Sequence, residues 1–424
     1  MSTATPKTLT SSVRGFLTEH VVTILFVALC AGGLYISGLS FLFFLDDIIN
    51  RIARNAFMVL ALIVPVMAGM GLNFAIVLGA MAGQTAIIAA THWGIKAFPG
   101  ILLCMVLSFP IALFLGWLTG RLLNRARGKE MITTLILGFF ANGVYQLVFL
   151  ILVGTLIPMK NETLVLSSGV GLRSTIDLTG GLKFGIDDVF RLPLPVFVII
   201  SCLGALIILV IRYFRLKKEL QGSEARRKLI FRIVITLLIA SWGVNHYWYG
   251  TPMNFLKVPI VTYAVIAGLC FFTVFIMRTK LGQNMRTVGQ DRHIAEVSGI
   301  NASRIRIIAI LISTGLAAWG QIFFLQNLGA FSTYGSHEQV GMFAIAALLI
   351  GGASVTKATI GQALLGTVLF HTMFIVSPLA GRVLFGDAQL GEFFRAFVAY
   401  GVIGVSLALH SWRKARMAKS SAPG

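Results

Sequence analysis

Long apolar stretches follow one another along the chain, separated by short polar segments. A membrane-crossing helix needs about 20 mainly apolar residues. Such stretches run over 20–40, 56–72, 74–91, 98–119, 131–157, 192–212, 230–248, 258–277, 306–327, 339–352, 359–377 and 393–411. The pattern predicts an all-α, polytopic transmembrane helical bundle of about ten to twelve segments. Two stretches are interrupted. Residues 56–91 carry Pro65, Gly69, Gly71, Asn73, Gly79 and Gly83, and residues 339–377 carry Gly341, Gly351, Gly352, Gly361 and Gly366. Proline and glycine weaken a helix interior, so both stretches predict shortened or broken helices.

Charge orients these segments. Four loops (121–129, 212–232, 278–306 and 413–419) hold 22 of the 35 Lys and Arg. The loops between them are poor in base: 248–258 has only Lys257, and 159–191 balances four basic against four acidic residues. By the positive-inside rule the four rich loops are cytoplasmic, with both termini inside. The chain 1–424 then reads as a single transmembrane domain. It has a cytoplasmic tail over 1–18 and an outer loop over 159–191, whose Gly, Ser and Thr content and Asp187-Asp188 suit a small cap. It also has a charged, helical cytoplasmic connector over 213–228, a cytoplasmic loop over 278–305 and a basic tail over 412–424.

Composition removes the soluble classes. Of 424 residues, 57% are hydrophobic and 12% charged, with a mean hydropathy of +0.88; soluble domains are about a quarter charged. The net charge of +20 would suggest nucleic acid in a soluble protein. Here the bases lie in clusters between apolar stretches, without an aromatic-interleaved basic face, so no nucleic-acid partner is expected. Cys30, Cys104, Cys202 and Cys270 all lie inside apolar stretches and far apart, which is neither a metal-ligand spacing nor a disulfide framework. Leu29 is too large for the residue before a lipoprotein cysteine, and the first stretch lacks a cleavage site, so it reads as a retained helix.

Catalytic chemistry is absent from the pattern. The fifteen acids fall at span starts (Glu130, Glu392), before the first span (Glu19) or in loops. Pumps and symporters usually keep carboxylates inside the bundle, so ion coupling is disfavoured, although backbone carbonyls can hold sodium. The nearest approach to a phosphate-binding loop, Gly351 to Thr359, lacks the Gly before Lys357 and the hydroxyl residue after it. The seven histidines are scattered, with no metalloprotease or Ser-His-Asp signal. No catalytic residue, no metal site and no enzymatic activity are expected.

Two patterns suggest transport. On 131–157, Thr134, Gly138, Asn142, Tyr145 and Gln146 recur at helical spacing. Polar groups facing lipid are costly, so this stripe faces protein or a water-filled path, as interhelical hydrogen bonding or as solute contact. Phe139 lies beside it, able to stack on a ring-shaped solute. With Asn73 and Gly341 from the interrupted stretches, the candidate translocation path is Asn73, Thr134, Phe139, Asn142, Tyr145, Gln146 and Gly341. A short internal echo links those stretches: Asn73-Phe74-Ala75-Ile76 with Met342-Phe343-Ala344-Ile345, and Gly83-Gln84 with Gly361-Gln362. Paired, glycine-interrupted segments mark the path in many transporters. The second pattern is the loop 281–301, where a short helix is expected between two glycine stops, Gly289 before and Gly299 after. Ile294 and Val297 share one face, with Arg292, His293 and Glu296 polar. It is either an amphipathic connector or a docking element.

The order of residues in this loop resembles that of permease subunits of ATP-binding-cassette importers, in the group that carries branched-chain amino acids, simple sugars and nucleosides. That group shows Gly, then Met-Arg-Ala-Val-Gly, a polar residue, and later Ala and Gly-Ile. Gly282, Met285-Arg286, Val288-Gly289, Ala295 and Gly299-Ile300-Asn301 match, while Thr287 replaces a usual Ala and Gln290 stands where Asn is common. Glu130-Met131-Ile132-Thr133-Thr134-Leu135-Ile136-Leu137 is similar to the family's Glu-x-Ile-x-Thr-x-x-Leu helix start, although Gly138-Phe139-Phe140-Ala141-Asn142 follows instead of Asn-Tyr. Gly351-Gly352-Ala353-Ser354 resembles its Gly-Gly-x-Ser turn. The resemblance covers roughly 56–160 and 258–410; the region 213–250 departs from the usual spacing.

The resemblance implies a bacterial inner-membrane permease forming half of a pathway. The expected partners are a second permease (the same or a related chain), an ATPase subunit, an extracytoplasmic solute-binding protein and the lipid bilayer. Coupling to the ATPase falls on Gly289, Arg292, Ala295, Glu296 and Gly299. ATP and Mg belong to the partner ATPase, and this chain binds no cofactor. The solute expected first is a simple sugar or nucleoside, with branched-chain amino acids next. A stand-alone secondary transporter is the alternative.

Overall fold

Backbone groups inside a bilayer must be satisfied within their own segment, so the apolar stretches can only be helices. The computed structural model describes residues 21–126, 128–159, 161, 163–215 and 223–420. The tail 1–18 and residues 216–222 of the connector lie outside the described residues. The helices are α1 (Val21–Ser37), α2 (Phe41–Ala61), α3 (Ile63–Met67), α4 (Ile76–His92), α5 (Ala97–Arg125) and α6 (Glu130–Leu147, continued as a π-helical turn Val148–Leu152). There follow α7 (Leu194–Arg215), α8 (Ser223–Trp248), α9 (Ile260–Arg278), α10 (Lys280–Gln290), α11 (Arg292–Val297), α12 (Ala302–Leu328), α13 (Ser336–Ile350), α14 (Ile360–Phe385) and α15 (Ala388–Ser420). Among the described residues, eight helices are long and apolar enough to cross a membrane, and α1, α4 and α13 are shorter apolar ones. The chain is thus a polytopic helical membrane bundle.

The core is α4, packed between α5, α12 and α13, with α2 on the other side of α12 and α13. Small residues make this possible. A Cβ added at Gly79 or Gly83 would collide with the carbonyl oxygens of Thr314 and Ala318, so α12 crosses α4 at backbone distance. Helices α14 and α15 pack on each other, with α1 and α2 against α14. Helices α7 and α8 pair mainly with each other and reach the bundle through short strands and turns. The interruptions fall where proline and glycine predict them: 68–75 separates α3 from α4, and 351–359 separates α13 from α14.

Loops gather at two ends. At one end Asn124 Nδ2 donates to the Ser303 carbonyl at 2.9 Å and Arg306 pairs with Glu130 at 2.7 Å, which brings 121–130 and 278–306 together. This is the basic end. At the other, β1 (Thr175–Asp177) pairs antiparallel with β4 (Ala330–Ser332), and β2 (Arg191–Pro193) with β3 (Lys257–Pro259). This is the capped end. Asp187 fastens the cap: it is fully buried, and its carboxylate accepts from Asn327 Nδ2 at 2.6 Å and from the Thr262 hydroxyl.

Three expectations change. The second span begins at Phe41, not 56, so Asp46 and Asp47 are helical residues and not loop residues. Helix continues through them because Asp47 and Arg51, one turn apart, pair at 2.9 Å and cancel each other's charge. Glu338 is likewise helical, in the first turn of α13, where a carboxylate complements the helix N-terminus. The internal echo does not mark equivalent places: Asn73 precedes α4 while Met342 lies within α13, and Gly83 lies within α4 while Gly361 opens α14.

Candidate functional site

The loop at the basic end folds as two helices, α10 and α11, meeting at Asp291. Asp291 Oδ1 accepts from the Ile294 amide at 3.0 Å and so caps α11. Gly299, at φ +79°, ends the turn that follows; the Ile300 amide donates back to the Ala295 carbonyl at 2.9 Å. Gly289 is not a helix stop. It lies inside α10, and a Cβ there would strike the Met67 carbonyl, while one on Gly69 would fall 2.6 Å from Gly289 Cα. The glycine is needed so that α10 can rest on the interruption between α3 and α4.

Within α11, Ala295 is fully buried, and Arg292 pairs with Glu296 at 2.7 Å. Ile294 and Val297 are 58% and 76% exposed. The apolar pair therefore points outward from the chain, while Ala295 holds the helix to it. Beneath α11 lies a cavity of about 360 Å³ between Gly69, Glu130, Arg292, His293 and Arg306. It joins three elements: the loop 278–305, the interrupted segment and the foot of α6.

The polar stripe of α6 splits into two groups. Thr134 and Tyr145 are buried, Gly138 faces the Phe74 carbonyl, and Asn142 is half-buried. Asn142 Nδ2 donates to Glu338 Oε2 and its Oδ1 lies 3.0 Å from His337 Nε2, which donates in that pairing. Tyr145 lays its ring against His337, centroids 4.5 Å apart, and its hydroxyl accepts from Gln84 Nε2 at 2.9 Å. Gln84 also donates to the Thr333 carbonyl at 2.6 Å and accepts from Gln321 Nε2 at 3.1 Å. One buried network thus joins α6, α4, α12 and α13. Phe139 and Gln146 point away from it and are exposed.

The two remaining path candidates sit at the start of α4. Asn73 Oδ1 accepts from the Ala75 amide at 3.1 Å, while its buried Nδ2 has no partner. Gly341 packs on α4, where an added Cβ would fall 2.8 Å from Val77 Cγ2. Sequence reasoning missed Gln84, Gln321, His337 and Glu338. The first two sit inside apolar stretches and were open to the same test that selected the α6 stripe; the last two fell outside a span drawn from 339.

Comparison with known proteins places these features. The family model described as "Branched-chain amino acid transport system / permease component" matches residues 44–403. The high-affinity branched-chain amino acid transport system permease protein BraD of Pseudomonas aeruginosa is 28% identical over 157 residues, 36% of this chain and 45% of its own. The fructose import permease protein FruF of Bifidobacterium longum is 25% identical over 130 residues, 30% of this chain and 35% of its own. The xylose transport system permease protein XylH of Escherichia coli is 26% identical over 205 residues, 47% of each. The chain covers less than half the length of these relatives. No solved structure matches it.

Proposed function

The chain belongs to the branched-chain amino acid transport system permease family, and from that premise we propose that it is the membrane subunit of an ATP-driven importer for a small polar solute. The observation that carries this reading is α11: an outward-facing Ile294 and Val297, on a short helix held to the chain through its buried Ala295 and joined at Asp291 to α10, whose Gly289 rests on Gly69. A partner ATPase docks on that face, holding ATP and Mg itself. Arg292 and Glu296 brace the helix by pairing with each other. Its movement reaches the interruption at Gly69 through α10, by way of Gly289, and reaches α6 through the Glu130–Arg306 pair beside it.

A second permease, the same or a related chain, meets the open face of α6, and the solute passes between the two. Phe139 and Gln146 line that passage; Asn142 and Tyr145 stand behind them, setting the tilt of α6 through the buried network. An extracytoplasmic binding protein delivers solute to the capped end, in the bacterial inner membrane. Hydroxyl-rich solutes suit this face, so a simple sugar or nucleoside is the first reading, supported by the fructose and xylose permeases among the relatives. The branched-chain amino acid permeases support the second.

The test is ATP-dependent uptake in liposomes holding the chain with its ATPase and binding protein. Ile294→Asp with Val297→Asp should lower uptake about tenfold or more and weaken ATPase co-purification, because charges replace a buried contact, while the permease stays folded. Full uptake by that variant overturns the docking assignment. Uptake by the chain alone without ATP would favour a secondary transporter. Xylose, fructose, a nucleoside and leucine offered in turn separate the solute readings.

A further inference from the structure

Between α5 and α6, over α4, lies a cleft of about 770 Å³ that reaches from Tyr145 to the basic end. One wall is Ile111, Leu115 and Leu118 on α5; the other is Leu137, Phe140 and Val144 on α6. At the basic end the lining changes character, to Trp117, Arg121 and Arg125. Arg121 and Arg125 are one turn apart, exposed and on the same face. The Arg121 guanidinium sits 4.0 Å over the Trp117 ring, which fixes it at the mouth. From Ile111 to Arg125 the helix rises about 21 Å, more than half of a hydrocarbon core of ~30 Å.

We propose that this cleft holds an anionic phospholipid of the cytoplasmic leaflet, its acyl chain between α5 and α6 and its phosphate on Arg121 and Arg125. The order of the lining carries the assignment: an apolar trough of leaflet depth that ends in two adjacent cations at headgroup level. Such basic pockets between membrane helices suit acidic headgroups. A helix from a second copy fits less well, because it would need a carboxylate at this level. The carboxylates of the loops 121–130 and 278–306 are engaged at home: Glu130 with Arg306, Glu296 with Arg292, and Asp291 with the Ile294 amide. The lipid would wedge α6 apart from α5, beside the buried network that holds α6 to α4 and α13. The inference rests on the basic end being cytoplasmic, and not on the solute.

The test uses the full purified chain exchanged into detergent with phosphatidylglycerol or phosphatidylcholine, read by native mass spectrometry and thermal midpoint. Wild type should retain phosphatidylglycerol selectively and gain thermal stability from it. Arg121→Gln with Arg125→Gln should cut that retention about tenfold, and Leu118→Trp should cut retention by filling the trough while both arginines remain. Equal retention of the two lipids by wild type, or undiminished phosphatidylglycerol retention by the arginine variant, overturns the proposal. So does cross-linking of a cysteine at Leu118 to a second copy in membranes, which would give the cleft to another chain. Orientation is read separately, in a background without the native cysteines. A cysteine at Ser168 should label from outside sealed cells, and one at Ser298 should not; the reverse result overturns the orientation reading as well.

Discussion

Helices α12 and α6 are both long, apolar segments, and both carry polar residues along their length. Their surroundings are opposite. The most apolar window of α12 is 61% buried within the chain, and that of α6 is 11%. Helix α12 meets α4 through backbone contact at glycines and alanines, where lipid has no access. Helix α6 meets the rest through side-chain hydrogen bonds at its middle and an ion pair at its foot. Van der Waals packing over small residues fixes a helix in place. A few polar contacts, each able to exchange partners, hold a helix at a defined tilt and still allow another. The difference is in how the two helices are held: α12 by close backbone packing, and α6 by a few side-chain contacts on an otherwise open helix.

The largest expected effect tests the backbone packing. Gly83→Leu places a side chain into the Ala318 carbonyl, where neither helix can yield without breaking its ladder. The cost should be at least about 3 kcal/mol. Loss of the monodisperse peak in detergent chromatography, at unchanged synthesis, is the expected result. A folded Gly83→Leu protein would mean that α4 and α12 are not in close contact, and the contrast with α6 would fail.

The foot of α6 comes next. Arg306 is 5% exposed and Glu130 18%, at 2.7 Å. Removing one member of such a pair leaves a buried charge and costs about 3 kcal/mol, whereas replacing both costs far less. Arg306→Met should therefore lower thermal stability markedly, and Glu130→Gln added to it should restore most of the loss. Equal destabilisation by the single and double variants would show that the pair contributes packing and little charge.

The sequence made part of this contrast visible. Hydropathy located the helices because bilayer solvation acts on every residue of a span. It misplaced the starts of α2 and α13, where Asp46, Asp47 and Glu338 look like loop residues until a pairing or a helix N-terminus accommodates them. Gly299 was legible as a stop because its left-handed backbone is a local property. Gly289 was not, because a glycine required by a distant segment is written the same way as one that ends a helix. The same holds for the α6 stripe. Its polarity was plain at helical spacing, but Gln84 and His337, more than fifty residues away on either side, decide which of its members turn inward.

Those inward members give a smaller effect. Asn142→Leu removes a hydrogen-bond partner of both the buried His337 and the half-buried Glu338. Polarity alone suggests that this change leaves folding intact or improves it; the hydrogen bonds reverse that expectation. The loss should be about 1–3 kcal/mol, with uptake slowed more than apparent solute affinity is changed. A stabilised Asn142→Leu protein would mean that the network is not formed in the membrane.

The smallest effect on stability, and the clearest on function, is expected at Phe139. Its ring is 58% exposed and points away from the network that holds α6. In a lone chain it has only lipid or a second permease to meet, so Phe139→Ala should leave the thermal midpoint of the single subunit within the range of an ordinary surface substitution, about 0.5 kcal/mol. If α6 faces a shared passage, the same change widens that passage and removes a stacking surface for the solute. Uptake should then fall at matched expression, while ATPase co-purification, proposed to rest on α11, should be unaffected. A cysteine at this position should also link two copies, or two related permeases, across the passage. Unchanged uptake together with failure to cross-link would turn the open face of α6 toward lipid, and would put the passage on another surface of the bundle.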